Sequence, residues 1–314
     1  MKTAFLFSGQ GSQYVGMGQS LYDNFSQVKL FFEEASEIMG YSISKKLSDS
    51  TPDELSQTIT AQPMIYAVSM AASICIKEIG ITANAVAGHS LGEYAALANS
   101  GIISKMDGFR LLKLRASAME KSTQNNAGGM CAVLTDDQDL IDQICHVTDG
   151  YIVPVNYNCA KQTVLAGEKS AIQSAVTYCR EKKIRVVPLK VGGAFHSLLM
   201  TEGAENYAES LKNFSFKQND FTKDFYSNIT GDKLSSFNIP NKNIHSLTEY
   251  LTKHITSPVQ FKSQTDAMQR DGIDRYIELG PKKTLINFVK QDYRQSQLYN
   301  LEDMDSLKEL QKLV

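Results

Sequence analysis

The sequence predicts an α/β protein: a large domain with a parallel-sheet core that carries a small ferredoxin-like domain as an insertion. Three observations support this class. Short apolar runs that break at glycine alternate with helical periodicity through the first 121 residues. A β-α-β-β-α-β order then fills the middle of the chain. After about residue 195 the first pattern resumes. The large domain is accordingly placed at 1–126 and 195–314, and the small one at 127–194.

Each element follows from its local pattern. Residues 3–7 (TAFLF) read as a buried strand broken by SGQGSQ. Residues 26–39 are helical, with Phe31, Phe32, Ala35 and Ile38 on one side. Residues 61–79 form a longer helix with Pro63 near its start, where proline is tolerated. Residues 84–88 (NAVAG) are a short strand, 90–99 an alanine-rich helix and 105–121 another helix. In the inserted unit, strands are expected at 130–134, 152–157, 163–166 and 184–189, with helices at 136–147 and 169–182. Gly128–Gly129 and Gly192–Gly193 bound it. Residues 213–243 are polar and less regular. The chain is expected to close with a strand at Arg275–Glu278, a Gly280–Pro281 break and a final helix.

Composition narrows the function. The 314 residues are 42% hydrophobic and 21% charged, with a formal net charge of −2. That balance excludes the strongly basic character of a nucleic-acid binder. Cys75, Cys131, Cys145, Cys159 and Cys179 are widely spaced and contain no C-x-x-C pair, so neither a zinc ribbon nor a redox motif is signalled. The apolar run Ala4–Phe7 is too short for a signal-peptide core. No stretch approaches the ~18 apolar residues of a membrane helix. A cytoplasmic monomer with reduced thiols is expected.

Gly88-His89-Ser90-Leu91-Gly92 fits G-x-S-x-G, with an apolar strand before it and a helix after it. Strand, sharp turn and helix form the setting of a nucleophile elbow, which makes the large domain α/β-hydrolase-like. The turn exposes the serine oxygen, and the helix N-terminus favours negative charge beside it. A serine that merely caps the helix is the rival reading. A serine hydroxyl needs a base to become a nucleophile. His89, His146, His196, His245 and His254 are the candidates. His89 adjoins the serine, which points its ring elsewhere. His146 sits on the outer part of a helix, and His245 and His254 lie in a polar stretch that reads as solvated surface. His196, after a Gly-Gly turn at a domain junction, leads without excluding the others.

Five segments resemble the malonyl-CoA:acyl carrier protein transacylases and the acyltransferase domains of polyketide synthases. They are FSGQGSQYVGMG (7–18), AGHSLGEYAAL (87–97), LLKLRASAM (111–119), GGAFHSLLM (192–200) and SPVQF (257–261). VNYN…VLAG (155–167) and IELGP (277–281) also fit, and the order holds over nearly the whole chain. The resemblance implies an acyltransferase in fatty acid or polyketide biosynthesis. It implies Ser90 as the acylated serine, His196 as its base, and the backbone N–H groups of Gln10 and Leu91 as the oxyanion hole. It implies a main-chain carbonyl near SPVQF in place of a carboxylate as third triad member, with Gln260 at the matching position. Arg115 is implied to bind the free carboxylate of a malonyl group, a task suited to a planar guanidinium. Phe195 is implied to wall the pocket beside the methylene.

Two departures stand out: Ser8 and Phe261 occupy places where the family often has proline and tryptophan. The implied partners are malonyl-CoA and an acyl carrier protein. Coenzyme A and the carrier arm are substrates, so neither metal nor redox cofactor is expected. The lysines at 45–46, 182–183 and 282–283 are candidate contacts for an acidic carrier. Two rivals remain: a serine hydrolase using Ser90 and His196, which would leave Arg115 unpaired against an uncharged acyl chain, and a non-catalytic scaffold.

Overall fold

The computed structural model describes residues 1–215 and 217–314. Strand β1 (Lys2–Phe7) is followed by helices α1 (Gln19–Asn24), α2 (Ser26–Met39), α3 (Ile43–Asp49), α4 (Pro52–Ser56) and α5 (Thr58–Glu78). Then come β2 (Ala85–Gly88), α6 (Gly92–Asn99) and α7 (Lys105–Asn125). The middle of the chain contributes β3 (Gly128–Leu134), α8 (Gln138–Val147), β4 (Ile152–Cys159), β5 (Gln162–Glu168), α9 (Lys169–Glu181) and β6 (Arg185–Pro188). The rest holds α10 (Thr201–Lys212), β7 (Asp224–Tyr226), β8 (Lys233–Leu234), α11 (Leu247–His254) and α12 (Phe261–Arg270). It ends with β9 (Ile273–Leu279), α13 (Thr284–Asp292), β10 (Gln297–Leu301) and α14 (Met304–Gln311).

Two sheets result. The first runs β10-β9-β1-β2-β7-β8 and is parallel except for the β7–β8 pair. Its central strand β1 is buried from Thr3 to Phe7, as a strand covered on both faces must be. The second runs β4-β5-β3-β6 and is antiparallel, with α8 and α9 against it. Its β-α-β-β-α-β order and strand arrangement are ferredoxin-like.

The register aligns Phe7 with Gly88 and Leu279, so β1, β2 and β9 end at one edge. The loops after β1 and β2 leave that edge side by side, where ligands sit in open α/β sheets. The small sheet reaches the same edge through a parallel bridge between Asn156 and Val259. There the Tyr157 amide donates to the Val259 carbonyl at 2.9 Å, and the Val259 amide to the Val155 carbonyl at 2.7 Å.

Three features depart from the sequence reading. The C-terminus is not one helix: β10 intervenes between α13 and α14 and forms the edge of the large sheet. The polar stretch 213–243 hides β7, a sheet strand of three residues; Phe216 within it lies outside the described residues. Helix α5 is, by length and composition, apolar enough to cross a membrane, although no run of consecutive apolar residues in it signals this. Here 94% of its apolar window is buried, and α2, α6 and α7 pack on it.

Candidate active site

The turn after β2 is tight because two glycines let backbone meet backbone. A Cβ on Gly92 would lie 2.1 Å from the Phe7 carbonyl oxygen, and one on Gly88 would lie 2.1 Å from the Gly92 carbonyl carbon. Between them Ser90 adopts φ 53°, the left-handed region that a residue with a Cβ rarely occupies. Such strain costs of order 1–3 kcal/mol and persists only where the surroundings impose it. Here the Ser90 amide is held by Asn228 Oδ1 at 2.8 Å.

Ser90 Oγ lies 2.7 Å from His196 Nε2. The other ring nitrogen, Nδ1, faces the main-chain carbonyls of Ser257 at 3.0 Å and His254 at 3.1 Å. A carbonyl only accepts, so Nδ1 carries the hydrogen and Nε2 presents its lone pair to the serine hydroxyl. His196 is buried, and its pKa falls from the usual 6.5 to about 3. Burial is the main cause; the positive Arg115 and the neighbouring His89 add to it. Gln260 does not supply the orienting carbonyl: that oxygen accepts from the Gln264 amide at 2.9 Å as α12 begins. Nor does Gln260 line the cleft at Ser90. The orienting oxygen of SPVQF is that of its first residue, Ser257.

Arg115, on α7, is fully buried. Its Nη1 donates to Gln62 Oε1 at 2.7 Å, and its Nη2 lies 3.4 Å from Ser90 Oγ. The guanidinium also sits 5.6 Å over the Tyr94 ring, a cation–π contact. Its Nε has no hydrogen-bond partner among the described residues. A buried cation with a free donor beside the serine has the chemistry to pair with an anion.

Ser90 opens into a cleft of about 480 Å³. Gln10, Gln62, Phe195 and His196 line it, with Met119 and Met130 among the apolar walls. The main-chain amides of Gln10 and Leu91 donate to no protein acceptor among the described residues. Phe195 is 6% exposed and faces this space. Lys190, exposed and unremarked in the sequence, stands on the lining too. Among the described residues no three His, Cys, Asp or Glu side chains cluster as metal ligands would.

The other histidines divide. His146 and His245 are exposed. His89 turns its Nε2 to Asn158 Oδ1 at 2.8 Å. His254 corrects the expectation of solvated surface: it is 1% exposed and stacks edge-on to His196 with ring centroids 5.4 Å apart. Helix α11 buries it because Leu247, Tyr250, Leu251 and His254 share one face. Asn228 and Glu93, both buried at the elbow, also escaped the sequence reading. Of the lysine pairs, 182–183 and 282–283 are exposed, while Lys46 is only half-exposed.

A serine–imidazole pair at 2.7 Å, two donor amides beside it and a buried guanidinium can form an acyl-serine and recognise an acidic acyl chain. The sequence from residue 4 to 312 matches the acyl transferase domain family. The chain belongs to the acyl transferase family. This acyltransferase is 33% identical over 310 residues to a malonyl CoA-acyl carrier protein transacylase of Bacillus subtilis strain 168, covering 98% of this chain and 95% of that one. A solved transacylase of the same description from Clostridium perfringens is similar with a TM-score of 0.91 and 33% identity. That match covers 100% of the acyltransferase and 97% of the other chain. A third similar structure is a malonyl-transacylase in complex with its type II polyketide synthase acyl-carrier protein. Its TM-score is 0.91 at 28% identity, with 100% of both chains covered.

Proposed function

We propose that this acyltransferase moves a malonyl group from malonyl-CoA to the phosphopantetheine thiol of an acyl carrier protein through a Ser90 acyl-enzyme. The setting would be fatty acid or polyketide biosynthesis. The observation that carries the reading is Arg115, a fully buried guanidinium whose Nη2 lies 3.4 Å from Ser90 Oγ. An uncharged acyl chain would leave it unpaired, at a cost of several kcal/mol. The carboxylate of a malonyl group pairs with it and places the thioester carbonyl at the serine. The names of the similar proteins point the same way.

The chemistry follows from the hydrogen bonds. Nδ1–H is committed to the Ser257 and His254 carbonyls, so His196 Nε2 takes the Ser90 proton as Oγ attacks the thioester carbon. The oxyanion faces the Gln10 and Leu91 amides; a donor so placed contributes ~3–4 kcal/mol in acyl transfer. The imidazolium returns its proton to the leaving thiolate of coenzyme A. The carrier thiol then attacks the malonyl-serine ester, Nε2 now taking the thiol proton, and Ser90 regains its hydrogen. This is ping-pong kinetics.

Intact mass spectrometry after mixing with malonyl-CoA tests the reading. A malonyl adduct is expected, absent in Ser90→Ala and discharged by holo carrier protein. Arg115→Ala should lose the preference for malonyl-CoA over acetyl-CoA. An Arg115→Ala protein of unchanged selectivity, or release of free malonate instead of transfer, would sink it.

A further inference from the structure

Asn228 follows β7 and is fully buried, and no motif marks it. All its polar groups are engaged, and both ends of its side-chain amide converge on the nucleophile elbow. Oδ1 accepts from the Ser90 amide at 2.8 Å, and Nδ2 donates to the Gly88 carbonyl at 2.6 Å. One planar amide thus spans the elbow, gripping the residue before His89 and the residue after it. A donor on one side and an acceptor on the other admit only one orientation of the side chain.

The same residue is tied to the base. Its Oδ1 lies 3.3 Å from His254 Nε2, and the His254 carbonyl is one of the two that hold His196 Nδ1. Its own carbonyl accepts from the Gln260 amide at 2.9 Å, at the end of the segment that presents the Ser257 carbonyl. This is where Gln260 does contribute. Finally, the Asn228 amide donates to Glu93 Oε2 at 2.6 Å, while the Tyr250 hydroxyl donates to Glu93 Oε1 at 2.5 Å. Glu93 lies in the first turn of α6, the helix that the elbow opens.

We infer that Asn228, anchored by Glu93, is a positioning residue for the acyl transfer. It holds Ser90 in its left-handed turn and keeps the carbonyls behind His196 in register with it. The inference rests on the reading of Ser90 as nucleophile. Neither carboxylate nor hydrocarbon at 228 reproduces it: aspartate lacks the donor for Gly88, and alanine lacks both contacts. Misplacement of reacting groups by about 1 Å costs on the order of 10²-fold in rate.

The test compares Asn228→Asp and Asn228→Ala with the unsubstituted protein. It measures kcat and KM for malonyl-CoA, the rate at which a fluorophosphonate labels Ser90, and the thermal midpoint. Both variants are expected to lose about 10²-fold in kcat and in labelling rate. KM for malonyl-CoA should stay close to its starting value, because the cleft and Arg115 are untouched. A folded variant with kcat and labelling unchanged, or a defect carried by KM alone, overturns the inference. If neither variant folds, Tyr250→Phe loosens Glu93 without opening a cavity. It should lower kcat and labelling about fivefold at constant KM, the worth of one hydrogen bond, and no loss there overturns the inference equally. Failure of the unsubstituted protein to label at Ser90 would instead strike at the proposed function itself.

Discussion

At the scale of single residues, the site runs on a histidine without a carboxylate partner. Two neutral carbonyls orient His196 but do little to favour its charged form, and Arg115 opposes it. The base must be neutral to act. A pKa lowered from 6.5 to about 3 keeps it neutral above that value, so activity is lost only as pH falls towards 3. The profile of kcat/KM, which reports the free enzyme, is therefore expected to show no limb near pH 6.5 between pH 8 and pH 5. In Arg115→Ala the cation is gone, and the acid limb should move upward. A limb near 6.5 in the unsubstituted protein, measured with both thioester and protein stable across the range, would contradict this account. The arrangement also explains what the sequence could show. Ser90 and His196 sit in local patterns, a glycine-flanked turn and a junction. Ser257 and His254 contribute main-chain oxygens, which leave no trace in residue type.

At the scale of elements, the elbow depends on how closely β1 approaches α6. Gly92 is the contact point, since any Cβ there meets the Phe7 carbonyl. Gly92→Ala must push β1 and α6 apart or tilt the turn. A destabilisation of roughly 1–3 kcal/mol is expected from overpacking, read from urea unfolding. Transfer should drop by about 10²-fold as Ser90 leaves His196. A variant with near-normal activity would show that the elbow has slack. The legibility of other elements follows the same physics. β2 and α6 were legible because a buried parallel strand is an apolar run and an elbow needs glycine. β7 has three residues and β10 reads QLYNL, so neither carries a period long enough to register. α11 looked polar because its buried face contains a tyrosine and a histidine among the leucines. Those side chains are hydrogen-bonded inside, to Glu93 and Asn228, and composition alone cannot distinguish that from solvation.

At the scale of the whole molecule, burial of titratable groups at the junction of sheet and helices sets the pH dependence of stability. His89, His196 and His254 are all held below the usual 6.5, chiefly by burial. Glu93 and Glu278 are pushed from 4.5 up to about 8, again chiefly by burial, with hydrogen bonds opposing. Below pH 6.5 the unfolded chain takes up histidine protons that the fold resists, and above pH 4.5 the fold keeps two carboxyl protons that the unfolded chain releases. Between these values the two effects oppose each other and largely cancel, so stability changes little with pH there. Between 6.5 and 8 the histidines no longer count. The fold then holds two extra protons, so stability falls as pH rises. The steepest loss of stability should therefore lie on the alkaline side, between pH 6.5 and 8. Urea midpoints at half-unit intervals from pH 5 to 8 measure this directly. Glu93→Gln should flatten the alkaline limb by about one proton's worth, because glutamine has nothing to release. A midpoint that climbs steadily to pH 8 would mean that both carboxyls are ionised in the fold. In that case the donors around Glu93, Tyr250 and Asn228, would outweigh its desolvation.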